Sequence, residues 1–171
     1  MGPKTADGRP PWRREMLDEK APDLAAIFER HGVIAAYVFG SLAKSRDPRR
    51  VTVHSDLDLA LLLPGDWTRE ARFRASGRVE TEVARLFQRG DLDVVVANDA
   101  PIVLRQQIVR ERDLVYGMHR PERVAFDWAT SREYLDTQPL RRFRYAAMIR
   151  RSREGRFGVG RGSAAPSSQR A

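Results

Sequence analysis

Two carboxylates two residues apart open the chemical reading of this chain. The segment runs His54-Ser55-Asp56-Leu57-Asp58-Leu59-Ala60-Leu61-Leu62-Leu63. Residues two apart on a strand share a face, so Asp56 and Asp58 project together from an otherwise apolar strand. Placing two like charges side by side in such surroundings is costly unless a cation neutralises them. A hard divalent ion with oxygen ligands, such as Mg²⁺, suits that pair. A third acid, Asp93, sits in the similar run Leu92-Asp93-Val94-Val95-Val96. If the two strands are neighbours, three carboxylates can hold two Mg²⁺ ions about 4 Å apart, the arrangement used for in-line displacement at phosphorus. Asp93 is also placed to accept the proton of an attacking hydroxyl. Upstream, Gly40-Ser41 closes another apolar run. Glycine lets backbone approach a ligand closely, free N–H groups at a helix start attract phosphate, and the Ser41 hydroxyl adds a donor.

The elements that must position these residues follow from periodicity and punctuation. A helix is expected from about Pro22 to His31, stopped by Gly32. Val33 to Phe39 reads as a buried strand, and Ser41 as the N-cap of a short helix. A basic loop, Arg46 to Arg50, leads to the aspartate strand, which Pro64-Gly65 ends. A long helix over about Thr68 to Arg89 carries Val79, Val83, Leu86 and Phe87 on its apolar face, with Gly90 as its stop. The Asp93 strand comes next, then a helix from Pro101 to about Glu111 and a short edge strand at Leu114-Val115-Tyr116. Val124, Trp128, Ser131 and Leu135 mark a helix over Pro121 to Asp136, with Trp128 and Tyr134 as core anchors or partner contacts. One more helix spans Pro139 to about Arg151. The expected fold is α+β, a small mixed sheet flanked by helices with a helical C-terminal extension. The expected divisions are a disordered 1–14, a core over 15–118, an extension over 119–151 and a disordered basic tail over 152–171.

Composition narrows the function classes. The chain has 171 residues and 42% hydrophobic content, enough for one core. It has no cysteine, which excludes disulfides, thiolate metal sites and a cysteine nucleophile. No apolar run is long enough to span a bilayer and the N-terminus lacks a signal-peptide stretch, so a cytoplasmic protein without membrane contact is expected. The net charge is +8, but residues 1–140 carry 22 basic and 22 acidic residues, and the surplus lies in 141–171, with nine Arg and one Glu. Any contact with nucleic acid would therefore fall to the Arg-rich C-terminal segment. The three histidines are scattered and read as surface residues, and Gly158 to Gly162 lacks the strand–turn–helix context of a dinucleotide fingerprint.

Gly-Ser at a strand end, Asp-x-Asp on the next strand and a third Asp on a later one resemble the polymerase-beta-type nucleotidyltransferase superfamily. The small size is similar to its minimal branch, the MNT proteins. Leu92 to Pro101 and Arg132-Glu133-Tyr134-Leu135-Asp136 resemble the MntA-type antitoxins that act beside HEPN-domain toxins. The resemblance covers roughly residues 22–150. It implies an adenylyltransferase that moves AMP from ATP to a tyrosine of a partner HEPN toxin. Gly40 and Ser41 then match the triphosphate-binding pair, Asp56 and Asp58 the metal ligands, and Asp93 the third carboxylate. Two departures stand out. The usual Arg-x-Arg-Gly after Gly-Ser is here Leu42-Ala43-Lys44-Ser45, leaving Lys44 to supply positive charge to the nucleotide. The loop between Ser41 and Asp56 has fourteen residues, several more than expected. The alternatives are a nucleotidyltransferase for a small molecule such as an aminoglycoside, and a non-catalytic antitoxin that works by binding.

Overall fold

The computed structural model describes residues 10–44, 56–111 and 113–153. The chain divides into two units, Met1–Tyr134 and Leu135–Ala171. The first is built on a four-stranded mixed sheet in the order β3-β2-β1-β4. The strands are β1 (Ala35–Phe39), β2 (Leu57–Leu62), β3 (Leu92–Val96) and β4 (Asp113–Tyr116). β1 pairs antiparallel with β2 and with β4, whereas β2 and β3 run parallel. A parallel pair needs a crossover, and helix α4 (Arg69–Phe87) supplies it. This is the α+β architecture that the alternation of apolar runs implies.

Side-chain alternation divides the sheet into two faces. Ala36, Val38, Leu57, Leu59, Leu61 and Leu92 point to one side, under α1 (Arg14–Glu19), α2 (Ala21–Arg30) and α4. Phe28 and Val79 are fully buried there, each worth about 1.5–3 kcal/mol in apolar transfer. Ala35, Tyr37, Phe39, Ala60 and Leu62 point to the other side, against Ala97 and Ile108. Helix α5 (Ile102–Glu111) and Phe126 of α6 (Pro121–Asp136) complete that second, smaller core. With a layer on each side, β1 is buried at all five positions. On β2 only Asp58 departs from full burial.

The structure changes several expectations. The stretch 1–14 does not all lie outside the fold, because Trp12 is 1% exposed and belongs to the larger core. Its indole N–H donates to the Asp91 carbonyl at 2.9 Å, and its ring lies 5.0 Å from that of Phe87 and 4.3 Å beneath the Arg89 guanidinium. Arg89, itself buried, also forks onto the Asp91 carboxylate and donates to the Pro10 carbonyl at 2.7 Å. A buried charge needs such partners. Helix α4 stops at Phe87, two residues short of Arg89. It starts after Thr68, whose hydroxyl caps the Ala71 N–H, and ends where Gln88 adopts a left-handed φ of 53°. Ser41 is not the cap of α3 (Gly40–Lys44), since the helix already begins at Gly40. On α6 the expected apolar face points outward. Trp128 is 75% exposed, while Phe126 and Thr130 face inward.

The second unit, taken by itself, holds α7 (Gln138–Arg153), whose sequence carries six Arg and no acid. Leu140, Phe143 and Met148 are exposed on it. The basic loop 46–50, His54 and the tail 154–171 lie outside the described residues, as does the side chain of Lys44.

Candidate active site

Strand register decides which of the candidate carboxylates meet. Asp58 is the Cα partner of Phe39 on β1 and of Asp93 on β3. Residues opposite each other in a pair share a face. Asp58 and Asp93 therefore stand side by side on the face that carries Tyr37, Phe39 and Ala60. Asp58 is half-buried and Asp93 is exposed. Asp56 is exposed and lies just before β2 begins at Leu57, rather than within the strand. The far end of β2, away from these carboxylates, is held by Asn98, which donates to the Leu63 carbonyl and accepts from the Leu63 N–H, both at 2.9 Å.

The Gly-Ser turn is brought to the same place. Gly40 follows β1 directly and takes a φ of +74°, a left-handed conformation that favours glycine. A Cβ there would collide with the Asp58 carboxylate. Only glycine lets the β1–α3 backbone lie directly against that carboxylate. Ser41 is the next residue of α3 and is half-buried. The Gly40 N–H donates to Oε2 of Glu111 at 2.9 Å, across 71 positions of sequence. Glu111 ends α5, and no motif marked it beforehand. One signal was available: a carboxylate in the last turn of a helix opposes the helix dipole, so it needs some other reason to be there.

The same face is braced by a charged network further along. The Tyr37 hydroxyl donates to Oδ1 of Asp127 at 2.9 Å, and Arg123 donates to Oδ2 at 2.6 Å. Burial first, then the Asp127 charge, pushes the Tyr37 pKa well above its ordinary value. Arg105 forks onto the Glu133 carboxylate at 2.9 and 3.0 Å, tying α5 to α6. On the other side of the sheet, His31 is hydrogen-bonded to Glu82 at 2.8 Å and Arg30 contacts the same carboxylate at 2.6 Å, so this histidine is engaged away from the aspartates. Of the arginines on α4, Arg72 is committed to Asp99 and the Trp67 carbonyl.

The donor set suits a hard cation, since Asp56, Asp58 and Asp93 offer only carboxylate oxygens. Among the described residues no three His, Asp or Glu side chains stand together as a ready cage. Mg²⁺ is ordinarily held by one or two carboxylates, with substrate phosphates and water completing its shell. Among the described residues, no helix is long and apolar enough to cross a membrane.

Comparison with known proteins bears on this geometry. The family model "Polymerase beta, Nucleotidyltransferase" matches residues 23–120. No curated protein matches the chain. Among solved structures, a tri-AMPylated Shewanella oneidensis HEPN toxin in complex with MNT antitoxin aligns at 20% identity and a TM-score of 0.56, over 78% of this chain and 99% of that one. A toxin–antitoxin structure with AMP-PNP aligns at 21% identity and a TM-score of 0.57, over 75% and 98%. The toxin–antitoxin MntA–HepT aligns at 19% identity and a TM-score of 0.55, over 77% and 98%. At these identities the likeness is one of fold. The family match covers more than half of the chain, and it spans Gly40, Ser41, Asp56, Asp58 and Asp93 alike. The chain belongs to the polymerase beta nucleotidyltransferase family.

Proposed function

We propose that this nucleotidyltransferase moves AMP from ATP to a tyrosine of a partner HEPN toxin and acts as its antitoxin. The observation that carries the reading is the in-register pair Asp58 and Asp93, with Gly40 packed against Asp58. Family membership supplies the reaction class, and similar folds occur in toxin–antitoxin complexes, one of them with a tri-AMPylated toxin. In this reading Asp56, Asp58 and Asp93 hold Mg²⁺, with two ions as the expected number. The metal would polarise the phosphate oxygens and favour the ionised form of the attacking hydroxyl.

The chain's own groups do the rest. The Gly40 and Ser41 backbone and the Ser41 hydroxyl hold the β- and γ-phosphates. Lys44, four residues after Gly40 in the sequence, adds positive charge for the nucleotide. Asp93, on the exposed side of the carboxylate pair, accepts the proton of the tyrosine hydroxyl as its oxygen bonds to the α-phosphorus. The bond from that phosphorus to the bridging oxygen breaks, and pyrophosphate leaves. In-line geometry requires the acceptor to approach opposite the leaving group, so the partner must present its tyrosine at the open, Asp93 side of the sheet. The unit that holds Trp12, the sheet and Phe126 forms this site, and exposed helical residues of 119–151 support partner contact. Lack of cysteine fits a cytoplasmic setting.

The test is direct. Purified protein, Mg²⁺, labelled ATP and the product of the adjacent HEPN gene should yield a toxin carrying AMP on tyrosine. Asp56→Ala combined with Asp58→Ala should remove at least about 100-fold of the rate while the protein keeps its melting temperature. Transfer at the wild-type rate by that double variant would refute the metal assignment.

A further inference from the structure

We propose that Glu111 is an internal competitor for the phosphate-binding turn: its carboxylate holds the Gly40 amide in the nucleotide-free protein and is displaced when a nucleoside triphosphate arrives. The inference rests on the reading of Gly40-Ser41 as the triphosphate turn.

Three observations meet at this residue. The Gly40 N–H donates to Glu111 Oε2 at 2.9 Å. Gly40 is also the residue whose backbone packs directly on Asp58. Two carboxylates therefore flank Gly40, Glu111 from α5 at its amide and Asp58 from β2 against its Cα. Finally, Glu111 is the last residue of α5, where the helix dipole disfavours an acid. A position that is locally unfavourable yet makes a specific long-range contact is where function is expected to override stability.

The chemistry is competition between like acceptors. A carboxylate oxygen and a phosphate oxygen seek the same kind of donor, and one N–H cannot serve both well. The negative charge of Glu111 also opposes an incoming polyphosphate at short range. While it stays in place, Glu111 satisfies the half-buried Gly40 amide and so keeps the turn ordered without ligand. On nucleotide binding the side chain must yield the amide. After the reaction it is poised to reclaim the amide and help expel pyrophosphate. Glu111 is thus a positioning residue that sets affinity, rather than a participant in the bond-making step.

The test uses the full-length protein and two substitutions. Glu111→Gln keeps the size and an oxygen acceptor for the Gly40 N–H but removes the charge. Glu111→Ala removes both. The dissociation constant for AMP-PNP is measured by calorimetry with and without Mg²⁺, and KM and kcat are measured for AMP transfer to the adjacent HEPN protein. Glu111→Gln should bind AMP-PNP about tenfold tighter in both conditions, with a matching fall in KM. Glu111→Ala should shift in the same direction. Unchanged or weaker binding in a folded Glu111→Gln protein would overturn the proposal, as would a kcat loss of about 100-fold at unchanged affinity, which would make Glu111 part of the chemistry. If the wild type itself neither binds AMP-PNP nor transfers AMP, the nucleotidyl-transfer reading fails instead. Wild-type activity with indifferent variants removes Glu111 alone.

Discussion

Gly40→Ala probes the closest packing in the candidate site. The residue holds φ at +74°, where a side chain costs about 1–2 kcal/mol relative to the right-handed region. The new methyl would overlap Oδ2 of Asp58 and sit 3.1 Å from its Cγ. The carboxylate can escape only by leaving its rotamer, at about 0.5–1.5 kcal/mol. Together these give a loss of about 1.5–3.5 kcal/mol, or a melting temperature lower by about 3–14 °C for a chain of this size. The functional loss should be larger than the stability loss suggests. A displacement of about 1 Å in a positioning group can cost about 100-fold in rate, and here the displaced group is Asp58 itself. Scanning calorimetry and single-turnover AMP transfer, both run well below the melting range, separate the two effects. Gly65→Ala and Gly90→Ala are the controls, because nothing lies within 4 Å of the added Cβ at either position. They should change stability by no more than about 0.5 kcal/mol. A Gly40→Ala protein that melts within about 1 °C of wild type and transfers AMP normally would refute the reasoning, because Asp58 could not then be held where the backbone contact places it.

Two further outcomes test the framework around the site. Tyr37→Phe removes a hydroxyl bonded to Asp127 but leaves Arg123 on that carboxylate, so urea denaturation at neutral pH should register a loss of about 1–2 kcal/mol. Because the folded pKa of Tyr37 is raised above its ordinary 10.0, this stabilisation is fully present below about pH 10 and is lost as pH climbs through the folded value. The gap between wild type and Tyr37→Phe should therefore narrow above pH 10. Gly77 lies exposed within α4 with open space around a new Cβ. Gly77→Ala should raise stability by about 0.5–1 kcal/mol by thermal melting, with AMP transfer unchanged.

Much of the fold was legible because its signals were local. The apolar runs of β1, β2 and β3, and the helix over Pro121–Asp136, follow directly from period and punctuation. The neighbouring of Asp58 and Asp93 was also within reach, since a strand–helix–strand pattern implies a parallel pair. What escaped was information carried by the partner rather than by the residue. Trp12 sits among Gly, Pro and Arg, and only Asp91 and Arg89, far along the chain, explain its burial. The helical spacing of Val124, Trp128 and Leu135 is genuine, but spacing does not say which of two faces meets the sheet. Phe126 packs against the sheet's second core and Thr130 is buried. Glu111 ends a well-foreseen helix, and its contact with Gly40 spans 71 positions that no window along the sequence covers.

The sheet order gives Asp93 a second significance. Among the described residues β3 is an outer strand, paired with β2 on one flank. Outer strands are templates for unwanted pairing between copies, and a charged side chain is one of the ordinary guards against it. The residue assigned to chemistry is therefore also a solubility device. Replacing it with an apolar residue would uncover the run Val94-Val95-Val96 beside an unguarded edge, and the resulting protein could lose activity by aggregating rather than by losing a ligand. Asp93→Asn, which keeps the position polar, is the substitution that separates the two, and light scattering beside the rate measurement tells which role has been removed.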